Sequence, residues 1–194
     1  MTLTPSTMMP LGSTAPDFEL PDVVSGKNVS LATFKSKKAL LILFICRHCP
    51  YVRHLQGDLA QIGLDYRFKD IGIIAISSND AQSHPEDSPE SLKEMAAALG
   101  FTFPFCYDET QQVAKNYHAA CTPDFFLFDK KRTLVYRGQF DDSRPDSGRP
   151  VTGRDLRQAI DAALADEPVS RIQKPSMGCN IKWKPGNEPD YFKS

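Results

Sequence analysis

The run Ala39-Leu40-Leu41-Ile42-Leu43-Phe44-Ile45 leads directly into Cys46-Arg47-His48-Cys49-Pro50, and that junction constrains the fold more than any other stretch of the chain. An unbroken apolar run of this length is far too short to cross a bilayer. It reads as a strand covered on both faces, as in a sheet with helices on either side. Beyond Pro50, the residues Val52, Leu55, Leu59 and Ile62 share one stripe of a helix. A buried strand therefore turns into an amphipathic helix, with two thiols in the turn. A Cys-x-x-Cys pair there can close a disulfide and reopen it. Unpaired N–H groups and positive potential at the helix start favour the thiolate of the first sulfur, Cys46. Arg47 and His48 add cationic character that would stabilise the reduced form. The thiolate is the nucleophile in disulfide exchange, so place and neighbours both point to redox chemistry.

The rest of the chain supplies a scaffold for that turn. Residues 1–15, rich in Thr, Ser, Met and Pro, read as a loose lead-in. Pro16 to Leu20 alternates apolar and polar side chains, and Gly26-Lys27-Asn28 makes a turn before Val29 to Leu31. Ile71 to Ile76 is a second buried strand. Ser88 is an N-cap followed by Pro89 at the first helical position, and Gly100 ends that helix. Phe103 to Tyr107 reads as a short strand and Thr110 to His118 as a short helix. Asp124 to Phe128 and Thr133 to Phe140 form a hairpin across the 129–132 turn. Leu156, Ile160, Ala163 and Leu164 mark a last helix. Residues 166–194, with Pro168, Pro175, Pro185 and Pro189, read as an irregular tail. The expectation is one α/β domain over 1–165, a mixed central sheet with helices on both faces, followed by that tail.

A net charge of -1 with mixed signs leaves no footprint for nucleic acid or an anionic membrane. Met1 to Pro10 lacks the basic and apolar regions of a secretory signal, so a cytoplasmic protein is expected. Five scattered cysteines do not suggest a secreted disulfide framework. In a reducing compartment a Cys-x-x-Cys pair is catalytic or metal-binding.

With its strand, its Cys46-x-x-Cys49-Pro50 turn and Thr122-Pro123 ahead of a hairpin, the chain resembles the thioredoxin fold. More narrowly, Gly12, Ala15-Pro16-Asp17-Phe18, Gly26, Leu31 and Phe34 resemble the start of the peroxiredoxin-like branch of the alkyl hydroperoxide reductase and thiol-specific antioxidant (AhpC/TSA) superfamily. The resemblance covers residues 12 to 165. Cys46 to Val52 with Cys121-Thr122-Pro123-Asp124, and the ending Gly178 to Trp183, resemble one subgroup of that branch. It implies a cis proline at Pro123, opposite the redox turn, with the backbone at Thr122 docking a substrate strand.

The departures are equally specific. Peroxiredoxins carry Pro and Thr seven and three positions before the peroxidatic Cys. Those positions hold Ile42 and Cys46 for Cys49, or Ala39 and Leu43 for Cys46. The arginine expected near Pro123 is also missing, so the oxyanion of O–O cleavage would be poorly stabilised and efficient peroxidase activity is not expected. The carboxylate that thioredoxins place six residues before the first Cys is Leu40, so no proton acceptor for Cys49 is named.

Of the remaining cysteines, Cys106 reads as core. Cys121 either modulates the redox turn or packs as a small hydrophobe. Cys179 either packs quietly or folds back as a third thiol that resolves a mixed disulfide or sulfenate at Cys46. The resulting expectation is a thiol–disulfide oxidoreductase. Cys46 attacks, Cys49 resolves, and Arg47, His48, Pro50, Cys121, Thr122, Pro123 and Cys179 support. A protein or small-molecule disulfide would be substrate, with a thioredoxin- or glutathione-type donor and no bound cofactor. The alternatives are a weak thiol peroxidase with antioxidant side activity, or metal binding and transfer, although no second Cys-x-x-Cys completes a zinc site.

Overall fold

The computed structural model describes residues 3–192. The apolar run forms β4 (Ala39–Phe44), the centre of a five-stranded mixed sheet with β5 (Ile71–Ser77), β6 (Phe105–Tyr107), β8 (Asp124–Phe128) and β9 (Leu134–Gly138), in the order β6-β5-β4-β8-β9. β4 runs parallel to β5 and antiparallel to β8. Every residue of β4 is buried, and alternate side chains enter different cores: Leu41 and Leu43 on one face, Leu40, Ile42 and Phe44 on the other. Each such side chain stabilises the fold by about 1.5–3 kcal/mol on burial.

Helix α1 (Pro50–Asp65) lays Val52, Leu55, Leu59 and Ile62 on the first face, joined there by α4 (Arg154–Ala165). Helix α2 (Pro89–Leu99) starts as its sequence requires. The Ser88 hydroxyl accepts the Ser91 N–H, Pro89 opens the helix, and Gly100 closes it at φ 67°. The short α3 (Gln112–Asn116) and a two-stranded ribbon, β2 (Glu19–Pro21) with β3 (Asn28–Ser30), complete the second face. Among the described residues no helix is long and apolar enough to cross a membrane.

Both ends of the chain differ from expectation. Part of the lead-in forms β1 (Leu3–Pro5), and part of the tail forms β10 (Met177–Asn180). These join the two-residue strand β7 (Cys121–Thr122) in a second antiparallel sheet, β1-β10-β7. Beyond β10, Ile181 and Trp183 are buried in the second core. Gln111 Nε2 donates to the Lys182 carbonyl at 2.9 Å, and its Oε1 accepts the Lys184 N–H at 2.9 Å. The tail is therefore packed with the rest of the chain: its apolar side chains enter the second core, and its backbone pairs with β1, with β7 and with the Gln111 side chain.

Candidate active site

The redox turn follows β4 immediately. Pro50 takes the first helical position, which its fixed φ suits, so the N-cap of α1 is Cys49 rather than Cys46. This corrects the expectation that the helix start serves the first sulfur. Both thiols are fully buried. All five cysteines are free thiols.

The two sulfurs have opposite electrostatic surroundings. Burial pushes the Cys46 thiol well above its ordinary pKa. Its hydrogen bond to Cys49 and the nearby Asp87 charge push the same way, while the Thr122 hydroxyl, 3.3 Å away, works against them. Cys49 is held far below its ordinary value because the thiols of Cys179 and Cys46, the Val52 N–H and the Thr122 hydroxyl donate to its sulfur, outweighing burial. One neighbour opposes this: the Thr122 carbonyl lies 3.1 Å from Cys49 Sγ, where it accepts from a thiol and repels a thiolate. The net direction is downward for Cys49 and upward for Cys46, so of the two sulfurs Cys49 ionises the more readily.

Thr122–Pro123 is a cis peptide opposite the turn, as the resemblance implied. The backbone before it, however, is already paired. β10 runs antiparallel to β7 with Cys179 opposite Thr122 and Asn180 opposite Cys121. Ser176 Oγ also donates to the Pro123 carbonyl at 2.6 Å. Cys179 thereby joins Cys46 and Cys49 in one buried cluster, and of the two Cys49 is the one that acts on its thiol. Its S–H bond to Cys49, with burial, raises the Cys179 pKa. Cys121 is fully buried with its thiol 3.7 Å from the Pro123 carbonyl, to which it donates, so it lies beside the exchange centre without joining it. Cys106 is core, as expected.

The carboxylate that organises the turn was absent from the sequence reading. Asp87 is fully buried. Its Oδ1 accepts the N–H groups of Arg47 (2.8 Å) and His48 (3.2 Å), and its Oδ2 accepts His48 Nδ1 (2.5 Å) and Asn79 Nδ2 (2.7 Å). Burial favours its neutral form, but these bonds, led by that of His48, depress its pKa overall. The only sequence signal was an acidic residue just before a helix cap in a polar loop, a pattern shared with solvent-facing turns.

His48 Nδ1 lies 3.8 Å from Cys46 Sγ, and the ring stacks on His84 with centroids 5.1 Å apart. Arg47 turns away: its guanidinium donates to the Ser91 carbonyl at 3.0 Å and pairs with Glu94 at 2.8 Å on α2. Tyr51, next to Pro50, lines a shallow depression with Pro123 and Met177.

Cys46, His48 and Asp87 lie close enough to share a metal ion, with ligand atoms within 4.8 Å of one another. The Asp87 oxygens nevertheless accept from four N–H donors, His48 Nδ1 among them. The arrangement fits a hydrogen-bonded support for the turn better than a metal centre.

Residues 11–137 match the model of the AhpC/TSA family. A solved structure of an uncharacterized conserved protein from Geobacillus kaustophilus is 54% identical, with a TM-score of 0.94 over 96% of this chain and 98% of that one. A hypothetical protein from Sinorhizobium meliloti is 49% identical, with a TM-score of 0.93 over 94% and 100%. The thiol-disulfide oxidoreductase ResA of Geobacillus kaustophilus is 29% identical over 129 residues, 66% of this chain and 68% of its own length. Solved structures of thioredoxin-family proteins share the fold. The family match spans more than half of the chain, which therefore belongs to the AhpC/TSA family and has a thioredoxin-like fold.

Proposed function

We propose that this AhpC/TSA-family chain is a thiol–disulfide oxidoreductase that exchanges disulfides through Cys46 and Cys49. The observation that carries this reading is the placement of the two thiols: Cys46 and Cys49 flank the start of α1, with Cys49 at its N-cap, and both touch Thr122 of the cis Thr122–Pro123 peptide, through its hydroxyl at 3.3 Å and its carbonyl at 3.1 Å. The relationship to a named thiol-disulfide oxidoreductase supports it.

The order of attack is the reverse of the one read from the sequence. The Cys49 thiolate attacks one sulfur of the substrate disulfide, and the bond between the two substrate sulfurs breaks. The Cys46 thiol then gives its proton to the substrate thiolate released in the first step, and its sulfur attacks the Cys49 sulfur, closing the 46–49 disulfide and releasing the second substrate sulfur. Thr122 Oγ1 at 3.3 Å and His48 Nδ1 at 3.8 Å are the polar groups beside Cys46 during that proton loss. The substrate is a protein or small-molecule disulfide, and the oxidised pair returns to the dithiol through a thioredoxin- or glutathione-type donor.

Stabilising the thiolate stabilises the reduced protein, so the pair should be more oxidising than thioredoxin at about −270 mV. Equilibration with glutathione buffers tests this, and a potential at or below that value would remove the argument. Insulin reduction tests the mechanism: Cys49→Ser should abolish turnover, and activity retained in that variant would refute exchange at this pair. The peroxidase reading is not favoured. Cys46 stands where the peroxide-binding hydroxyl would stand relative to Cys49, and Arg47 is engaged with Glu94. Consumption of hydrogen peroxide should not exceed that of a free thiol.

A further inference from the structure

We propose that Cys179 is a third redox residue of this site, and that Cys49 is a pivot able to form a disulfide with either Cys46 or Cys179. The inference rests on the exchange reading above and extends it to a residue outside the Cys-x-x-Cys pair.

The geometry is that of a strand seated where an incoming disulfide-bearing strand would pair. β10 lies antiparallel to the two residues before cis Pro123, with Cys179 in register with Thr122, the residue whose carbonyl and hydroxyl flank the two redox sulfurs. Gly178 makes the close approach possible. A Cβ at that position would stand 1.9 Å from the Thr122 carbonyl oxygen, so any larger residue would push the strand off. The strand is held on its other edge by β1, and the Ile181 N–H donates to the Ala120 carbonyl at 3.0 Å. Cys179 is 2% exposed and lies in the same buried cluster as Cys46 and Cys49, where the Cys49 thiol is the group that most perturbs its own.

The step balances without an added oxidant, because the disulfide has already been acquired from substrate. From the 46–49 disulfide, Cys179 loses its proton and its sulfur attacks Cys49 Sγ. The S49–S179 bond forms and the S46–S49 bond breaks. The electron pair leaves on Cys46, which takes up one proton beside Thr122 Oγ1 and His48 Nδ1. Once Cys49 is in a disulfide, the thiolate that raised the Cys179 pKa is gone, while the nearby Lys182 charge still favours ionisation there. Oxidation of the first pair thus prepares the second.

Disulfide mapping tests the proposal. Wild type, Cys46→Ser and Cys179→Ser are oxidised with diamide under native conditions, quenched in acid, alkylated and digested for mass spectrometry. Cys46→Ser should carry the 49–179 link in most molecules, Cys179→Ser only the 46–49 link, and wild type both. If wild type forms 46–49 while Cys46→Ser leaves Cys179 fully alkylated, the pivot is overturned and the exchange pair stands. If neither link forms in any of the three, both readings fall. Should Cys46→Ser not fold, the wild-type map decides: 49–179 alongside 46–49 supports the pivot, and 46–49 alone overturns it.

Discussion

Replacing Asp87 by Asn is the sharpest test of how the redox turn is held. The substitution keeps shape and volume but removes the charge and turns one acceptor into a donor. If the amide oxygen keeps the Arg47 and His48 N–H groups, its NH2 faces His48 Nδ1 and Asn79 Nδ2. His48 can change tautomer and accept. Asn79 cannot rotate without losing the bond from the Lys182 N–H to its Oδ1, at 2.8 Å. Two buried donors, one on each of the facing amides, are left unpaired, at a cost of about 1–3 kcal/mol each. The two retained bonds lose their charge assistance, about 1 kcal/mol each. Relief of burying a charge works the other way, which leaves a net loss of about 3 kcal/mol. For a chain of this size that is a fall in Tm of roughly 6–12 °C. Urea unfolding of the reduced protein at neutral pH measures it. The loss should shrink on acidification. Asp87 has a depressed pKa in the folded state, so its contribution is present above the ordinary carboxylate range, about 4, and disappears as pH falls through the lower folded value. Because the Asp87 charge also raises the Cys46 pKa, alkylation of Cys46 should move to lower pH in the variant. A neutral-pH loss under about 1 kcal/mol with an unmoved alkylation profile would refute the account of Asp87 as the anchor of the turn.

Three further outcomes follow from other parts of the molecule. Asp124 is fully buried with its carboxyl pushed up to about 7, chiefly by desolvation, and its Oδ2 has no hydrogen-bond partner among the described residues. A raised folded pKa means that stability falls as pH rises from about 4 towards 7, by up to roughly 4 kcal/mol. Asp124→Asn should abolish that decline in urea midpoints between pH 5 and pH 8. Gly178→Ala should separate β10 from β7, destabilise the protein by about 1–3 kcal/mol and speed iodoacetamide labelling of Cys49; unchanged labelling would show that β10 does not cover the sulfur. Ser88→Ala removes the acceptor for the Ser91 N–H and should cost about 1 kcal/mol in thermal unfolding, with Cys46 and Cys49 labelling unchanged.

The elements legible in the sequence are those whose signal is local. The continuous apolar run of β4, the Ser88-Pro89 start and Gly100 stop of α2, and the stripe of α1 each follow from neighbours within a few residues. The thiolate was assigned to Cys46 although a local rule pointed to Cys49: proline favours the first helical position, which makes the preceding residue the N-cap. β10 also left a trace. Cys179, Ile181 and Trp183 alternate with Asn180, Lys182 and Lys184, and the first three are buried while the others are partly exposed. That period of two was obscured by the surrounding prolines. Asp87 left no comparable trace, because its burial depends wholly on the 78–88 loop folding over the redox turn from about 40 residues away in sequence.

The redox turn and the tail are also physically joined, through Asn79. Its Nδ2 donates to the Asp87 oxygen that holds His48, and its Oδ1 accepts the Lys182 N–H just past β10. The Asp80 N–H donates to the Lys182 carbonyl at 2.8 Å, so the loop after β5 grips the tail from both sides of one residue. A displacement of β10 would therefore pull on the same amide that fixes the Asp87 carboxylate, and through it on the backbone of Arg47 and His48. Buried polar networks of this kind resist partial satisfaction, since each orphaned group costs about 1–3 kcal/mol. Seating of the tail and the geometry of Cys46-Arg47-His48-Cys49 are thus energetically coupled, and a substrate that needed the Thr122 edge would have to overcome both together.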